Sequence, residues 1–325
     1  MLAGVGSWVP PDIVSNGDLM IDSMDIWVRT RIGVASRHRV SKGTATGDLA
    51  VNAAAAALRS AGAATADVLI VATTTPDRLC PATAPDVAAR LSLGNIAAFD
   101  LGGGCSGFLY GCEVAAGLIE SGRARRVVVV GADAVSSVVD STDRATAYIF
   151  GDGAGAAVLV AGHAGMPGCL GPTVWGSDGS LADAIAIAGG GSRQKDHGTD
   201  GGDRFVRMQG AVVLRQAVRR MDQAVRAAVD AAGWRLDDVD RLIAHQANAT
   251  ISSALAASLG LPRERMPSNI ADTGNTAAAS VPLLLADAAS NGTLRPGDRV
   301  ALVAFGSGLT WAATTLVWPS TLIPH

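Results

Sequence analysis

The sequence predicts an α/β protein made of two similar halves. Three observations carry that expectation. Residues 98–122 read as a strand, a glycine turn and a helix; apolar β-branched runs alternate with alanine-rich helical stretches; and the same order of elements returns in the second half of the chain. The halves are expected to be residues 1–162 and 163–325, with the boundary near Gly162–Gly165.

In order, Leu2 to Val5 is a short apolar strand entering a turn at Pro10-Pro11, and Asn16 to Val28 reads as a helix with Ser15 or Asn16 as cap. A dense basic stretch, Arg29 to Arg39, follows Trp27. Thr46 to Ser60 is an alanine-rich helix stopping at Gly62. Asp67 to Thr75 is a β-branched strand ended by Pro76, and a loop through Cys80-Pro81 leads to a helix ending near Leu91. Arg126 to Ala132 is a buried strand; Ala147–Phe150 and Gly153–Val160 are expected as strands around Gly151-Asp152-Gly153. In the second half come a helix over Met208–Ala232, a strand at Asp240–His245, helices at Ile251–Leu259 and Thr276–Ala289, a strand at Arg299–Gly306 and a final strand near Thr310–Val317. Residues 189–203 are polar and glycine-rich, a surface loop in which His197 is given no role.

Composition narrows the function. The chain has 325 residues, 49% hydrophobic and 17% charged, with net charge -3, so no basic field points to nucleic acid or to an anionic membrane. The only lysines are Lys42 and Lys195. Cys80, Cys105, Cys112 and Cys169 lack C-x-x-C spacing, so neither a zinc site nor a disulfide framework is expected. The N-terminus lacks the features of a signal peptide and no apolar run reaches membrane-spanning length, so a cytoplasmic setting is the expectation.

The chemistry centres on Gly102-Gly103-Gly104-Cys105-Ser106-Gly107, a turn of nucleophile-elbow form with cysteine at a helix start, where the helix dipole favours thiolate. The alternative is a structural cysteine packed on a glycine turn. His245, at the end of an apolar strand, is either a site residue or a core histidine satisfied by backbone. Asn275, after Gly274, is either a helix cap or a side-chain donor in a pocket. Together the three would supply a thiol nucleophile, an imidazole and an N–H donor. Gly151-x-Gly153-x-Gly155 fails as a dinucleotide fingerprint because a strand pattern follows it.

Five segments, in order and spacing, carry a resemblance: Asp100–Phe108, Phe150–Val158, His245–Asn248, Gly274–Thr276 and Ala304–Gly308. The chain resembles the β-ketoacyl-[acyl-carrier-protein] synthase III (ketosynthase III) family of the thiolase superfamily over nearly its whole length. The resemblance implies a thiolase-like five-layered αβαβα sandwich of two duplicated halves, assembled as a homodimer. It implies that Cys105 is acylated by an acyl-CoA and that His245 and Asn275 serve condensation with a malonyl thioester, with loss of CO2, in fatty-acid initiation or polyketide priming. It further implies an oxyanion hole from the N–H groups of Cys105 and Gly306, CoA contacts at Trp27, Arg31 and Arg144, and a loop through Cys80 that crosses the dimer to the partner's acyl tunnel, with Leu79 and Leu214 beside it. The CoA thioester is substrate, so no resident cofactor is implied. An acyl-carrier protein is the implied acceptor partner, but Thr250, Ala257 and Ser258 stand where the family's docking helix often carries basic residues, leaving Arg215, Arg219 and Arg220 as the candidate patch. That departure keeps open an alternative: an acyltransferase of the same fold delivering the acyl group to a hydroxyl or amine.

Overall fold

The structure, a computed structural model, describes residues 1–19, 25–192 and 203–320. The first part of the chain forms β1 (Leu2–Trp8), β2 (Asp12–Ser15), α1 (Asp25–Trp27), β3 (Ser36–Arg39), α2 (Thr46–Ser60), β4 (Val68–Ala72), α3 (Thr83–Arg90), β5 (Ala97–Leu101), α4 (Gly107–Glu120), β6 (Arg126–Asp133) and β7 (Gly153–Val160). The second forms β8 (Val174–Ser177), β9 (Ile185–Ile187), β10 (Val206–Met208), α5 (Gly210–Ala231), β11 (Arg241–Ala244), α6 (Ala249–Leu259), α7 (Ile270–Thr273), α8 (Ser280–Ser290), β12 (Arg299–Gly306) and β13 (Thr310–Val317).

Two mixed sheets organise these elements, in the orders β1-β7-β6-β4-β5 and β11-β12-β13-β8. Their central strands are runs of β-branched residues buried on both faces, as strands covered by helices on each side require. Period-two alternation then sorts the side chains into layers. Leu69, Val71, Val128 and Val130 pack outward against α2 and α3. Ile70, Val127 and Val129 point inward, where α4 and α8 fill the space up to Ile243, Val300 and Leu302 of the second sheet. Leu242, Ala301 and Val303 face α5 and α6 on the far side. The result is five layers, helix–sheet–helix–sheet–helix, which is the thiolase-type architecture.

Three expectations change. Residues 147–149 are turns rather than a strand, and Phe150 makes a single bridge to Asn275. The helix expected over Asn16–Val28 is, where described, a short turn at Gly17–Leu19 and then α1, continued by a π-type turn over Val28–Ile32; residues 20–24 lie outside the described chain. Of the two cap candidates, Ser15 Oγ accepts the Asp18 N–H at 3.2 Å in that short turn, whereas the buried Asn16 amide donates to Val34 O and Asp25 Oδ1. The basic stretch divides between surface and interior. Arg37 on β3 is wholly buried and donates to the carbonyls of Val14 and Tyr148. The final fold-related expectation, the polar loop with Lys195 and His197, falls mostly on residues 193–202, outside the described chain.

Candidate active site

Cys105 lies in a 3-10 turn, Gly104–Ser106, that leads from β5 into α4. Of the three glycines before it, only Gly104 is demanded by the backbone. Its φ is 54°, and a Cβ there would press on the Ser307 backbone nitrogen at 2.6 Å. Gly103 is extended, with φ -177°. The turn is fastened to the second half: Thr310 Oγ1 donates to Gly103 O at 2.7 Å. A Cβ on Gly306 would collide with the Cys105 backbone nitrogen, so glycine is required where β12 passes the nucleophile.

The electrostatics differ from the expectation of a resting thiolate. Cys105 is half-buried against a cavity wall with protein packed around the sulfur, and burial, joined by the nearby Asp133 charge, pushes the thiol up to about 12. A hydrogen bond from its own backbone opposes this without reversing it. Desolvation outweighs the helix end here, and the resting nucleophile is a thiol.

His245 follows β11, its backbone N–H bonded to Val303 O at 2.8 Å. The residue is 3% exposed, its Nδ1 has no partner among the described residues, and burial lowers its pKa to about 4. The imidazole is therefore neutral at physiological pH. The next residue, Gln246, is locked by Ala244 O, Ser268 and Ser280. Asn248 caps α6 through a 2.8 Å bond from Ile251 N–H.

Asn275 is held from both sides of the molecule. Its N–H donates to Ile149 O at 2.9 Å and its carbonyl accepts from Gly151 N–H at 3.1 Å. Its Oδ1 accepts the Ala277 N–H at 2.9 Å, which leaves the Nδ2 hydrogens as the donors the side chain can offer. Asn275 caps no helix; α8 begins at Ser280 after a 3-10 turn at Ala277–Ala279. Ala277 is a non-glycine residue held at φ 48°, a strain of about 1 kcal/mol stored in the turn that aims Asn275.

Cys105, His245 and Asn275 all line one cavity of about 680 Å³. From the three polar groups it runs into an aliphatic chamber. Val135 and Val138 form one wall, and Ile185, Ile187 and Val206 on the β9–β10 hairpin form another. This hairpin was missed in the sequence because each strand is only three residues long. The alternation of Ile185-Ala186-Ile187 was the available signal.

The other expected residues lie elsewhere. Trp27, Arg31 and Arg144 are exposed and outside the cavity lining. The segment bearing the first two is fixed to the cavity's wall by Val28 and Ile32, which pack in one cluster with Val135, Ile149 and Val206. Cys80 and Leu79 are exposed, and neither lines the cavity of its own protomer. Leu214 does not line it either: α5 turns it toward a surface groove with Arg215, Arg219, Asp222, Thr250 and Ser258. Arg220 drops out of the basic patch, because it pairs with Asp178 at 2.9 Å and stacks on Trp311. Among the described residues no group of three His, Cys, Asp or Glu side chains is placed to hold a metal ion, and no helix is long and apolar enough to cross a membrane.

Comparison with known proteins agrees with this geometry. Residues 99–179 match the family described as 3-Oxoacyl-[acyl-carrier-protein (ACP)] synthase III, and residues 229–318 match its C-terminal counterpart. The Beta-ketoacyl-[acyl-carrier-protein] synthase III 3 of Streptomyces coelicolor is 52% identical over 98% of this chain and 97% of its own length. The crystal structure of 3-oxoacyl-(acyl carrier protein) synthase III from Pseudomonas aeruginosa superposes with a TM-score of 0.93 at 43% identity, covering 99% of both chains. The priming β-ketosynthase of the R1128 polyketide biosynthetic pathway superposes with a TM-score of 0.91 at 34% identity, over 98% of this chain and 96% of that one.

Proposed function

Because the chain belongs to the 3-oxoacyl-[acyl-carrier-protein] synthase III family, we propose that Cys105 takes an acyl group from acyl-CoA and that His245 and Asn275 direct its condensation with a malonyl thioester. The enzyme is an acyl-transferring condensing enzyme of the β-ketoacyl synthase III type. The observation that carries the residue assignment is the meeting of Cys105, His245 and Asn275 in one cavity with an aliphatic chamber beyond them.

In the first half-reaction the Cys105 sulfur attacks the thioester carbonyl, its proton leaves, and CoA departs as the thiol. The developing oxyanion is held by the N–H groups of Cys105 and Gly306, whose backbones adjoin. A thiol raised to about 12 needs a proton acceptor, and a neutral His245 is suited to that task. In the second half-reaction the bond from the malonyl carbon to its carboxylate breaks and CO2 leaves. The enolate oxygen is held by His245 N–H and Asn275 Nδ2, each worth about 3 kcal/mol in the transition state. The carbanion attacks the acyl-Cys105 carbonyl, the carbon–sulfur bond breaks, and a 3-oxoacyl thioester leaves. No cofactor takes part beyond the CoA thioester itself.

Trp27, Arg31 and Arg144 hold the nucleotide end of CoA by stacking and charge: all three are exposed, and the segment bearing Trp27 and Arg31 is packed on the cavity wall. The groove carrying Arg215 and Arg219 receives an acidic acyl-carrier protein. These two arginines favour a carrier-bound acceptor over the hydroxyl or amine acceptor. The protein works as a homodimer in the cytoplasm, priming fatty-acid or polyketide chains. The test is a substrate pair: acyl-CoA and malonyl-carrier protein release CO2 and form a 3-oxoacyl product, whereas acyl transfer to a hydroxyl or amine without CO2 release would refute the condensing role.

A further inference from the structure

Resting on that reading, we propose that Asp133 is a positioning residue joining the two halves of the site: one carboxylate oxygen gathers the Thr73–Thr75 turn of the first half, and the other holds the turn of the second half that aims Asn275. Asp133 ends β6 and is wholly buried. Its Oδ1 receives the hydroxyls of Thr73, Thr74 and Thr75 at 3.0, 2.8 and 3.0 Å, and the backbone N–H groups of Thr74 and Thr75 at 2.7 and 3.1 Å. Its Oδ2 receives one donor, the Ala278 N–H at 2.8 Å, from a residue 145 positions away. Ala278 directly follows Ala277, the strained residue whose N–H fixes the Asn275 side chain. Thr73 and Thr74 line the cavity with Asn275. A single acceptor group thus sets the spacing between the wall beside Cys105 and the Asn275 amide.

The arrangement is asymmetric, and this makes it testable. In Asp133→Asn the amide oxygen keeps the side with five donors, so the amide nitrogen must face the Ala278 N–H. Two donors then oppose each other, and only the Asn275 turn is pushed away. Burial pushes the Asp133 carboxyl up and the donors of Thr73, Thr74 and Ala278 pull it down; the substitution removes the Asp133 charge that, after burial, holds the Cys105 thiol up. No lysine, arginine or histidine bonds to Asp133 among the described residues, and the other titratable group lining the cavity, His245, is neutral.

The experiment separates the half-reactions of wild type and Asp133→Asn and adds iodoacetamide alkylation of Cys105. CO2 release from the malonyl thioester should fall about a hundredfold, as expected for misplacement of a donor by about 1 Å. Loading of Cys105 from acyl-CoA should be unimpaired. Alkylation near neutral pH should rise about threefold, because losing the Asp133 charge lets the thiol down and gives more thiolate, partly offset by weaker nucleophilicity. A merely structural role would slow loading and CO2 release alike, and that result overturns the proposal, whereas alkylation reads only the loss of charge beside Cys105. Should Asp133→Asn fail to fold, Thr74→Val decides the question. It removes one hydroxyl donor, which makes the carboxylate easier to protonate, and it should move CO2 release and alkylation in the same directions by smaller factors; no movement overturns the proposal. If the wild type neither loads nor releases CO2, the condensing role itself fails, while a crystal structure of Asp133→Asn, which needs no thioester, still judges Asp133: the 276–279 turn should move and the Thr73–Thr75 turn should not, and an unmoved 276–279 turn overturns the proposal.

Discussion

Cys105 and Cys112 stand two helical turns apart on one continuous turn-and-helix segment, and burial raises both thiols. Only Cys105 opens onto the cavity; Cys112 packs among Phe108, Leu109 and Ala115. Intact mass after mixing with acyl-CoA should therefore show one acyl adduct, absent in Cys105→Ala and retained in Cys112→Ala. In the proposed function His245 and Asn275 hold the malonyl oxygen on which charge appears as CO2 leaves. Asn275→Ala should load normally but release CO2 about a hundredfold or more slowly, since it removes one donor, whereas His245→Ala, which also removes the proton acceptor for the Cys105 thiol, should slow loading as well, with CO2 release the step that falls more. Single-turnover kinetics of the two steps reads this directly. The neutral imidazole also fixes a pH dependence. His245 titrates near 4 in the folded chain against about 6.5 unfolded. Protonation thus favours the unfolded chain, so its contribution to stability is complete above about pH 6.5 and is lost progressively as pH falls toward 4. A melting series across that range, with His245→Gln as control, should show the wild type losing the larger share.

At the level of elements, much of the site was readable because each piece breaks a local rule. A cysteine among glycines, a histidine ending an apolar strand and an asparagine after a glycine are all conspicuous in sequence. Asp133 was not, because it reads as the polar end of a strand, and its partners at residues 73–75 and 278 are brought to it only by the fold. The burial of Arg37 was not legible for a similar reason: only the strand over Ser36–Arg39 turns that one arginine of the run inward. The β9–β10 hairpin escaped because three-residue strands carry almost no periodic signal, yet it builds the aliphatic chamber. Filling the chamber should set chain length. Ala186→Phe should lower kcat/KM for longer acyl-CoAs by about fourfold for each methylene excluded, leaving acetyl-CoA little changed. Cys80 gives a parallel test on the proposed partner loop. Cys80→Phe should act likewise only if that loop reaches the partner's tunnel, because Cys80 does not line its own cavity.

At the level of the whole molecule, the active site exists only because two sheets and their shared helix layer bring residues 105, 245 and 275 together. The first sheet ends in β5, which among the described residues pairs with β4 alone and exposes Phe99, leaving an edge suited to a second copy. Sedimentation of the wild type should give a dimer, and Phe99→Glu should weaken it. The central claim, that this chain condenses rather than merely transfers acyl groups, is tested most directly by following CO2 from a malonyl-carrier protein labelled in its free carboxylate. With enzyme preloaded at Cys105, one CO2 should be released for each acyl group consumed, with a 3-oxoacyl product, and Cys105→Ala should yield no such product. Consumption of the loaded acyl group by a hydroxyl or amine acceptor, with no CO2 released from the malonyl thioester, would contradict the account.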